Sequence, residues 1–322
     1  MSPWLKGAIS AGLLIILLVV LPWDQVRAAV GRVPLEVWLV VLGGFLAGHA
    51  LGIAKWRMFV NAARAQLGRA DATLCYSAGL FANLCLPSIV GGDVLRIALA
   101  GRITRRPEAA LWGGVLDRIT DLLALALLVL VGGTIARGHV EGWFSQVITV
   151  GLVVGVALLG LATPLVLRRP IAHWPRRLRR PIGRGLVGLR RLWRRPTVAV
   201  AGLALSLTIQ GGFVLLNAWL GRSLGIHVSL AVWFLVWPLA KITALLPISL
   251  GGLAIREGSL AALLLPFGVP AALSVVCSLL WQSVLIAGGL LGGAIWLVLS
   301  QRRRLLLGNV SQQLDAARQV TT

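Results

Sequence analysis

Two segments of the sequence share an element in which a proline, a glycine pair and an arginine keep the same spacing. The element reads Leu-Pro-x-x-x-Gly-Gly-x-x-x-Arg and occupies Leu86–Arg96 and Leu246–Arg256. Proline interrupts a helix, and paired glycines let the backbone turn. A helix that restarts there directs free N–H groups and its positive dipole end towards an anion, and the arginine adds a bidentate grip on phosphate. We predict helix breaks at Pro87 and Pro247 and substrate-binding positions at Gly91, Gly92, Arg96, Gly251, Gly252 and Arg256.

Acidic residues accompany both arginines. Asp93 lies one helical turn before Arg96, and Glu257 directly follows Arg256. Each acid either balances the charge of an arginine that holds a ligand or simply forms an ion pair with that arginine. An aspartate from the other half is a further possible partner for Arg256. Since a charge inside a bilayer costs roughly 2.5–3.5 kcal/mol on insertion scales and usually marks a pathway, we favour the ligand interpretation.

A third group of charges lies in one apolar span. Asp117 and Asp121 are four residues apart, so they share one face of a helix, and Arg118 lies between them. These residues either balance Arg96 and Arg256 or carry protons. A structural ion-pair cluster between helices is the alternative.

Three further polar residues interrupt or end apolar segments. Lys241 stands alone in its segment and needs a partner or a ligand. Asn83 precedes the first break and either contacts substrate or caps backbone groups. Arg57 ends an apolar span, where it either anchors the helix at the membrane surface or meets lipid headgroups. All three are candidate substrate-binding residues.

Composition indicates which solvent the protein requires. Hydrophobic residues make up 58% of the 322 residues and charged residues 13%, so the lipid bilayer is the expected solvent. The net charge is +21, but the arginines cluster between apolar runs. This favours anionic lipid headgroups, not nucleic acid, as partners. The three cysteines and four histidines lack metal-ligand spacing, so we expect neither a metal nor a cofactor.

The apolar runs divide into complete and broken membrane segments. A full span needs about 20 apolar residues. Two stretches, 73–100 and 229–267, are broken in the middle by proline and paired glycines. The predicted full spans are 5–23, 34–54, 109–133, 146–167, 197–221 and 271–299.

The basic loops predict the orientation of these segments. Loop 55–72, which starts at Lys55, and the arginines that follow the stretch 73–100 both belong on the cytoplasmic side. A segment with both ends on one side returns as a re-entrant hairpin. Loop 168–196 contains eleven arginines and is cytoplasmic too, which places both ends of 229–267 outside. The two hairpins therefore enter from opposite faces.

We predict one membrane domain, 1–322, built from the repeats 1–133 and 146–299. The fold class is an all-α polytopic membrane protein with about six full transmembrane helices plus two re-entrant broken-helix hairpins arranged as an inverted repeat, an architecture typical of secondary transporters. The loop 168–196 is either an Arg-rich interfacial helix or a solvated linker, and 305–322 is a flexible cytoplasmic tail. We expect a multi-pass protein of the bacterial inner (plasma) membrane with both termini in the cytoplasm.

Taken together, these motifs resemble a known family. Its pattern is matched over roughly 34–299 by Asn83, Leu86, Pro87, Gly91, Gly92, Asp93, Arg96, Asp117, Arg118, Pro247, Ser249, Gly251, Gly252, Arg256, Glu257 and Gly258. The chain resembles the lysylphosphatidylglycerol synthase transmembrane-region family, whose members are also called flippase-like proteins. In the bifunctional synthases the membrane half moves an aminoacylated lipid between leaflets, and a separate cytosolic domain makes that lipid. Because the sequence ends at Thr322, we expect a stand-alone membrane unit without aminoacyl transfer.

The leading hypothesis is a lipid translocase that moves an anionic or phosphate-bearing lipid between leaflets. Arg96 and Arg256 would hold the headgroup near one central cavity. The sequence contains no nucleophile elbow, Walker loop or zinc-ligand set, so we do not expect an enzyme. The alternatives are a membrane enzyme or subunit that acts on aminoacyl- or glycosyl-lipids, and a non-transporting scaffold. Expected partners are membrane lipids and a separate lipid-modifying enzyme, and homo-oligomerisation stays open.

Overall fold

The computed structural model describes residues 31, 33–85, 91–136, 196–244 and 255–320, with the backbone alone from 304 onwards. This part of the chain contains eight α-helices, one short 3-10 helix (Leu265–Phe267) and no strand. The α-helices are α1 (Leu35–Ala62), α2 (Arg69–Cys85), α3 (Gly91–Thr104), α4 (Pro107–Ile135), α5 (Pro196–Ser223), α6 (Leu230–Ala244), α7 (Ile255–Leu264) and α8 (Ala271–Val320).

Three of these helices are long and apolar enough to cross a membrane. They are α1, α5 and the segment Ala271–Arg303 of α8, and they coincide with three predicted spans. The helix α4 covers a fourth predicted span, 109–133. The predicted spans 5–23 and 146–167 lie outside the described residues, as does almost all of the loop 168–196. The helical, membrane-protein character of the prediction is therefore confirmed.

Both broken stretches consist of two separate helices that pack against each other. The first stretch forms α2 and α3, and the second forms α6 and α7. The breaks at 86–90 and 245–254 lie outside the described residues, together with Pro87, Pro247 and the second glycine pair. The breaks themselves therefore stay predictions. The two re-entrant hairpins and their entry from opposite membrane faces stay predictions as well.

The helices α1–α4 correspond in order to α5–α8, and corresponding helices pack on corresponding neighbours. The helix α2 packs on α8, and its counterpart α6 packs on α4. Likewise α3 packs on α4 and α7 on α8, while α1 packs on α4 and α5 on α8. The helices α1 and α5 pack on each other. The first arm of each broken stretch thus lies against the last helix of the other half.

Glycines permit the closest of these contacts. A Cβ atom at Gly132 in α4 would lie 2.5–2.8 Å from backbone atoms of α6, and one at Gly292 in α8 would lie 3.1–3.2 Å from atoms of α2. These two glycines are separated by the same number of residues as Arg96 and Arg256. The repeated spacing of the motif therefore extends to the residues that join the two halves.

Two expectations about the helix ends need correction or refinement. Lys55 and Arg57 were assigned to a cytoplasmic loop, but α1 continues to Ala62 and the loop begins only there. Lys55 is 2% exposed because it is paired with carboxylates inside the helix bundle. At the other end of the chain, the backbone of 305–320 continues α8 as a helix, and its flexibility stays a prediction.

Candidate functional site

A polar cavity of about 110 Å³ lies among the helices α1–α6. Since one water molecule needs about 10–15 Å³ by such a measure, the cavity has room for several water molecules or a compact headgroup. Its walls include charged side chains from α1, α3, α4 and α6. Helices of both halves therefore enclose one charged cavity within a largely apolar bundle.

Arg96 is the central cation of the cavity wall. Its side chain is 4% exposed, and its Nη2 lies 3.0 Å from an oxygen of Asp93 and 2.7 Å from Asp117 Oδ2. Asp93 and Arg96 lie three residues apart on α3, so the helix itself brings them together. Asp93 also forms an ion pair with Arg118. The expected ion-pair alternative is thus present, and carboxylates already hold the arginine that was predicted to grip phosphate.

Aromatic rings cover the guanidinium of Arg96. Its Cζ lies 5.2 Å from the ring centroid of Trp56 and 5.0 Å from that of Tyr76, within the range of a cation–π interaction. Arg96 Nε is buried and has no hydrogen-bond partner among the described residues. The group is therefore fixed in position, with one donor left unused.

Lys55 extends the ion-pair network to the other side of the cavity. Its Nζ lies 3.0 Å from Asp117 Oδ1 and 2.5 Å from Asp121 Oδ1. Lys55 also donates a hydrogen bond of 2.9 Å to Ser206 Oγ, whose hydroxyl donates to Asp121 at 2.9 Å. Because Asp117 and Asp121 are one turn apart on α4, a single lysine bridges both. The predicted carboxylate pair is present, with lysine as its bridge.

Asn83 and the first glycine pair close the start of α3. The N–H of Gly92 donates to Asn83 Oδ1 at 3.0 Å, which satisfies one of the free N–H groups of that helix. A Cβ at Gly79 in α2 would lie 2.7 Å from the carbonyl oxygen of Gly92, so α2 and α3 meet through glycines. Gly91 and Gly92 are helical and do not line the cavity. Asn83 caps the backbone and also lines the cavity.

Lys241 faces the cavity from α6. Its Nζ donates to Gln210 Oε1 at 2.7 Å and lies 5.4 Å from the ring centroid of Phe213. Among the described residues no carboxylate lies within ion-pair distance of this ammonium group. Lys241 was predicted to need a partner or a ligand. The partner found here is the neutral amide of Gln210, so the prediction is met only in part.

Arg256 belongs to a separate buried cluster. Its Nη2 donates to Glu257 Oε1 at 2.7 Å and to Gln282 Oε1 at 2.9 Å, and its Nε donates to Ser278 Oγ at 3.1 Å. Arg256 is not among the residues that line the cavity. The expectation that both motif arginines face one cavity is therefore not met, because Arg256 is turned towards α8. A role for Arg256 in binding stays a prediction.

Arg57 also lies away from the cavity lining. Its Nε donates to the carbonyl oxygen of Leu67 at 2.9 Å, and Asn61 holds the same residue through two further hydrogen bonds. These contacts fix the connection between α1 and α2. The side chain of Arg57 is thus used within the protein in this structure.

Nine residues of the described cavity wall were not predicted as site residues: His49, Gly52, Lys55, Tyr76, Gly79, Leu80, Ile209, Gln210 and Phe213. His49 Nδ1 lies 3.2 Å from Tyr76 Oη, and Gln210 and Phe213 come from α5. Lys55 was treated only as a surface anchor. His49, Gly52 and Lys55 are spaced three residues apart, a helical stripe of polar and small residues in an apolar run, and this signal could have placed Lys55 inside the bundle.

Comparison with known proteins gives one match. The family model of the lysylphosphatidylglycerol synthase TM region matches residues 4–293, which is most of the chain. No curated protein and no solved structure matches the chain. The matched range includes every residue of the cavity wall.

Proposed function

The chain belongs to the lysylphosphatidylglycerol synthase TM region family, and from this premise we propose that it moves an anionic or phosphate-bearing lipid between membrane leaflets. The observation that carries the proposal is the charged cavity enclosed by helices of both halves. Charges buried among apolar helices are costly and usually mark a substrate pathway.

The size of the cavity favours a headgroup as the transported part. At about 110 Å³ the cavity is far too small for acyl chains but has room for a compact polar group. The proposal therefore has the acyl chains remain in the bilayer while the headgroup passes along the wall of the cavity. Polar side chains replace part of the hydration shell that the headgroup loses on leaving water.

The equivalent packing of the two halves supports an alternating mechanism. Many transporters of this kind move one repeat against the other around a fixed site. Here the first arm of each broken stretch packs on the last helix of the opposite half, so a small rotation of one half changes which side of the cavity is open. We propose that the two halves are inverted in the inner membrane of a bacterium, with both termini in the cytoplasm.

Lipid transfer in reconstituted vesicles tests the proposal. The protein is inserted into unilamellar vesicles that contain one fluorescent lipid in each preparation, across anionic, zwitterionic and aminoacylated lipids. The label is attached to an acyl chain so that the headgroup is unchanged, and a membrane-impermeant quencher then measures how fast the labelled lipid changes leaflet. We expect faster transfer of anionic lipids than in empty vesicles, and slower transfer with Arg96→Gln. Transfer at the rate of empty vesicles for the whole panel would rule the proposal out.

Two controls sharpen this experiment. Arg222→Gln removes one positive charge from an exposed position at the end of α5 and should transfer lipid at the wild-type rate. Because the family is described by the name of a synthase, the same vesicles are also supplied with phosphatidylglycerol and an aminoacyl donor. Formation of an aminoacylated lipid would favour the enzyme alternative over the translocase.

A further inference from the structure

The charges that line the cavity do not cancel. The described lining contains four cations (Lys55, Arg96, Arg118 and Lys241) and three carboxylates (Asp93, Asp117 and Asp121). One positive charge is therefore in excess. A buried charge without a counter-ion is strongly disfavoured, so this excess calls for a compensating group.

The three carboxylates are already used by the other three cations. Asp93 pairs with Arg96 and Arg118, and Asp117 with Arg96 and Lys55. Asp121 pairs with Lys55. These pairs form one continuous network across α1, α3 and α4, all in the first half of the chain. The excess charge is therefore localised on Lys241, which the second half contributes.

Hydrogen-bond donors are in excess in the same place. An ammonium group has three N–H donors, and Lys241 uses one on Gln210 Oε1. Within the part of the chain that the structure describes, Arg96 Nε and Arg118 Nε are buried in the wall without acceptors. Such donors cost free energy when they are left unsatisfied. An occupant that supplies acceptor oxygens satisfies them.

We infer that Lys241, together with Gln210 and the unused donors of Arg96 and Arg118, forms a subsite for one oxyanion that carries a single negative charge. A phosphodiester has this charge and several acceptor oxygens. A phosphomonoester dianion leaves one negative charge uncompensated, and a cationic group repels Lys241. The inference rests on the proposed function, since it names the headgroup class that the cavity takes.

The variant Gln210→Glu tests the charge count without removing Lys241. The new carboxylate lies at the position of an oxygen that already accepts from Lys241 at 2.7 Å, so it neutralises the excess charge internally. Lys241→Gln removes the same charge directly, and Lys241→Arg keeps it. Gln210→Leu is the matched control at position 210, because it removes the amide but leaves the charge in place.

Binding is measured by native mass spectrometry of the full chain in detergent. The probes are phosphatidylglycerol, phosphatidylcholine and phosphatidic acid with the same acyl chains, and dimethyl phosphate as the headgroup chemistry without a lipid. We expect phosphatidylglycerol to bind best. Gln210→Glu and Lys241→Gln should each weaken it at least about tenfold, the effect of losing one charge-assisted interaction. Lys241→Arg should keep most of the binding, and Gln210→Leu should weaken it less than Gln210→Glu does.

Equal binding of phosphatidylglycerol by wild type and Gln210→Glu overturns the inference, even if Lys241→Gln fails to fold. Preferential binding of phosphatidic acid overturns it as well. If dimethyl phosphate competes with phosphatidylglycerol, the phosphodiester alone is recognised. If it does not compete, recognition requires the complete lipid. Specific binding without leaflet transfer supports the subsite and contradicts the translocase. Transfer of phosphatidylglycerol that is unchanged in Gln210→Glu supports the translocase and contradicts the subsite.

Discussion

Replacement of Asp117 by asparagine tests whether the ion-pair network holds the bundle together. The Asp117 carboxylate lies 2.7 Å from Arg96 and 3.0 Å from Lys55, and the exposed fractions of all three side chains are 5% or less. Removal of one partner from a buried ion pair costs about 3–5 kcal/mol. Arg96 keeps Asp93 and Lys55 keeps Asp121, so we expect the lower end of that range, about 3 kcal/mol.

The chain offers a matched control for this substitution. Asp71 pairs with Arg303 at 3.4 Å, and the two side chains are 34% and 40% exposed. Such an exposed pair contributes only about 0–1 kcal/mol, so Asp71→Asn should leave the free energy of unfolding nearly unchanged. The two variants make the same chemical change and differ mainly in the burial of the carboxylate.

Thermal unfolding in detergent, followed by tryptophan fluorescence, measures the difference. At about 2 °C per kcal/mol for a chain of this size, Asp117→Asn should lower the midpoint by roughly 6 °C. The double variant Arg96→Gln with Asp117→Asn removes both charges and leaves Lys55–Asp121 and Arg118–Asp93 intact. It should be less destabilised than the sum of the two single variants. If Asp117→Asn unfolds at the same temperature as Asp71→Asn, the network does not stabilise the fold.

Two further substitutions test the contacts made by glycines and by the cap of α3. Gly132→Ala should destabilise the protein by about 1–3 kcal/mol, because the new Cβ would meet backbone atoms of α6 at 2.5–2.8 Å. Gly133→Ala should be tolerated, because its Cβ would meet only one side-chain atom, at 3.6 Å. Thermal unfolding of the two neighbouring variants compares them directly, and equal midpoints would contradict the close contact. Asn83→Ala removes the hydrogen bond that the N–H of Gly92 donates and should lower the stability by about 1 kcal/mol as a lost helix cap. The rate of amide hydrogen exchange at the start of α3 should therefore rise. An unchanged exchange rate there would contradict the capping role.

The features that depend on nearby residues were predictable from the sequence. The lengths of the described membrane helices follow from the apolar runs. The pairing of Asp93 with Arg96 follows from their spacing of three residues. The shared face of Asp117 and Asp121 follows from a spacing of four. Each of these predictions needs only the geometry of one helix.

The contacts between distant segments were not predictable in this way. Lys55 meets Asp121 and Ser206, which are far away in the sequence. A lysine at the end of an apolar run looks like a surface anchor until its partners are known. Gln210 and Phe213 likewise give no local signal, because polar and aromatic residues occur singly in many membrane helices. Their place in the cavity depends on how the two halves pack.

The two halves are equivalent in packing but not in charge, and this difference indicates where specificity arises. Arg96 contacts the last helix of its half through Asp117, and Arg256 contacts the last helix of its own half through the neutral groups of Ser278 and Gln282. Among the described lining residues, the first half contributes all three carboxylates, and the second contributes Lys241 without a carboxylate of its own. The shared motif therefore builds the scaffold twice, and the unequal charges give the cavity a single positive charge in excess. Because that excess lies where the two halves meet, the proposed recognition of an anionic headgroup requires both halves to be in place.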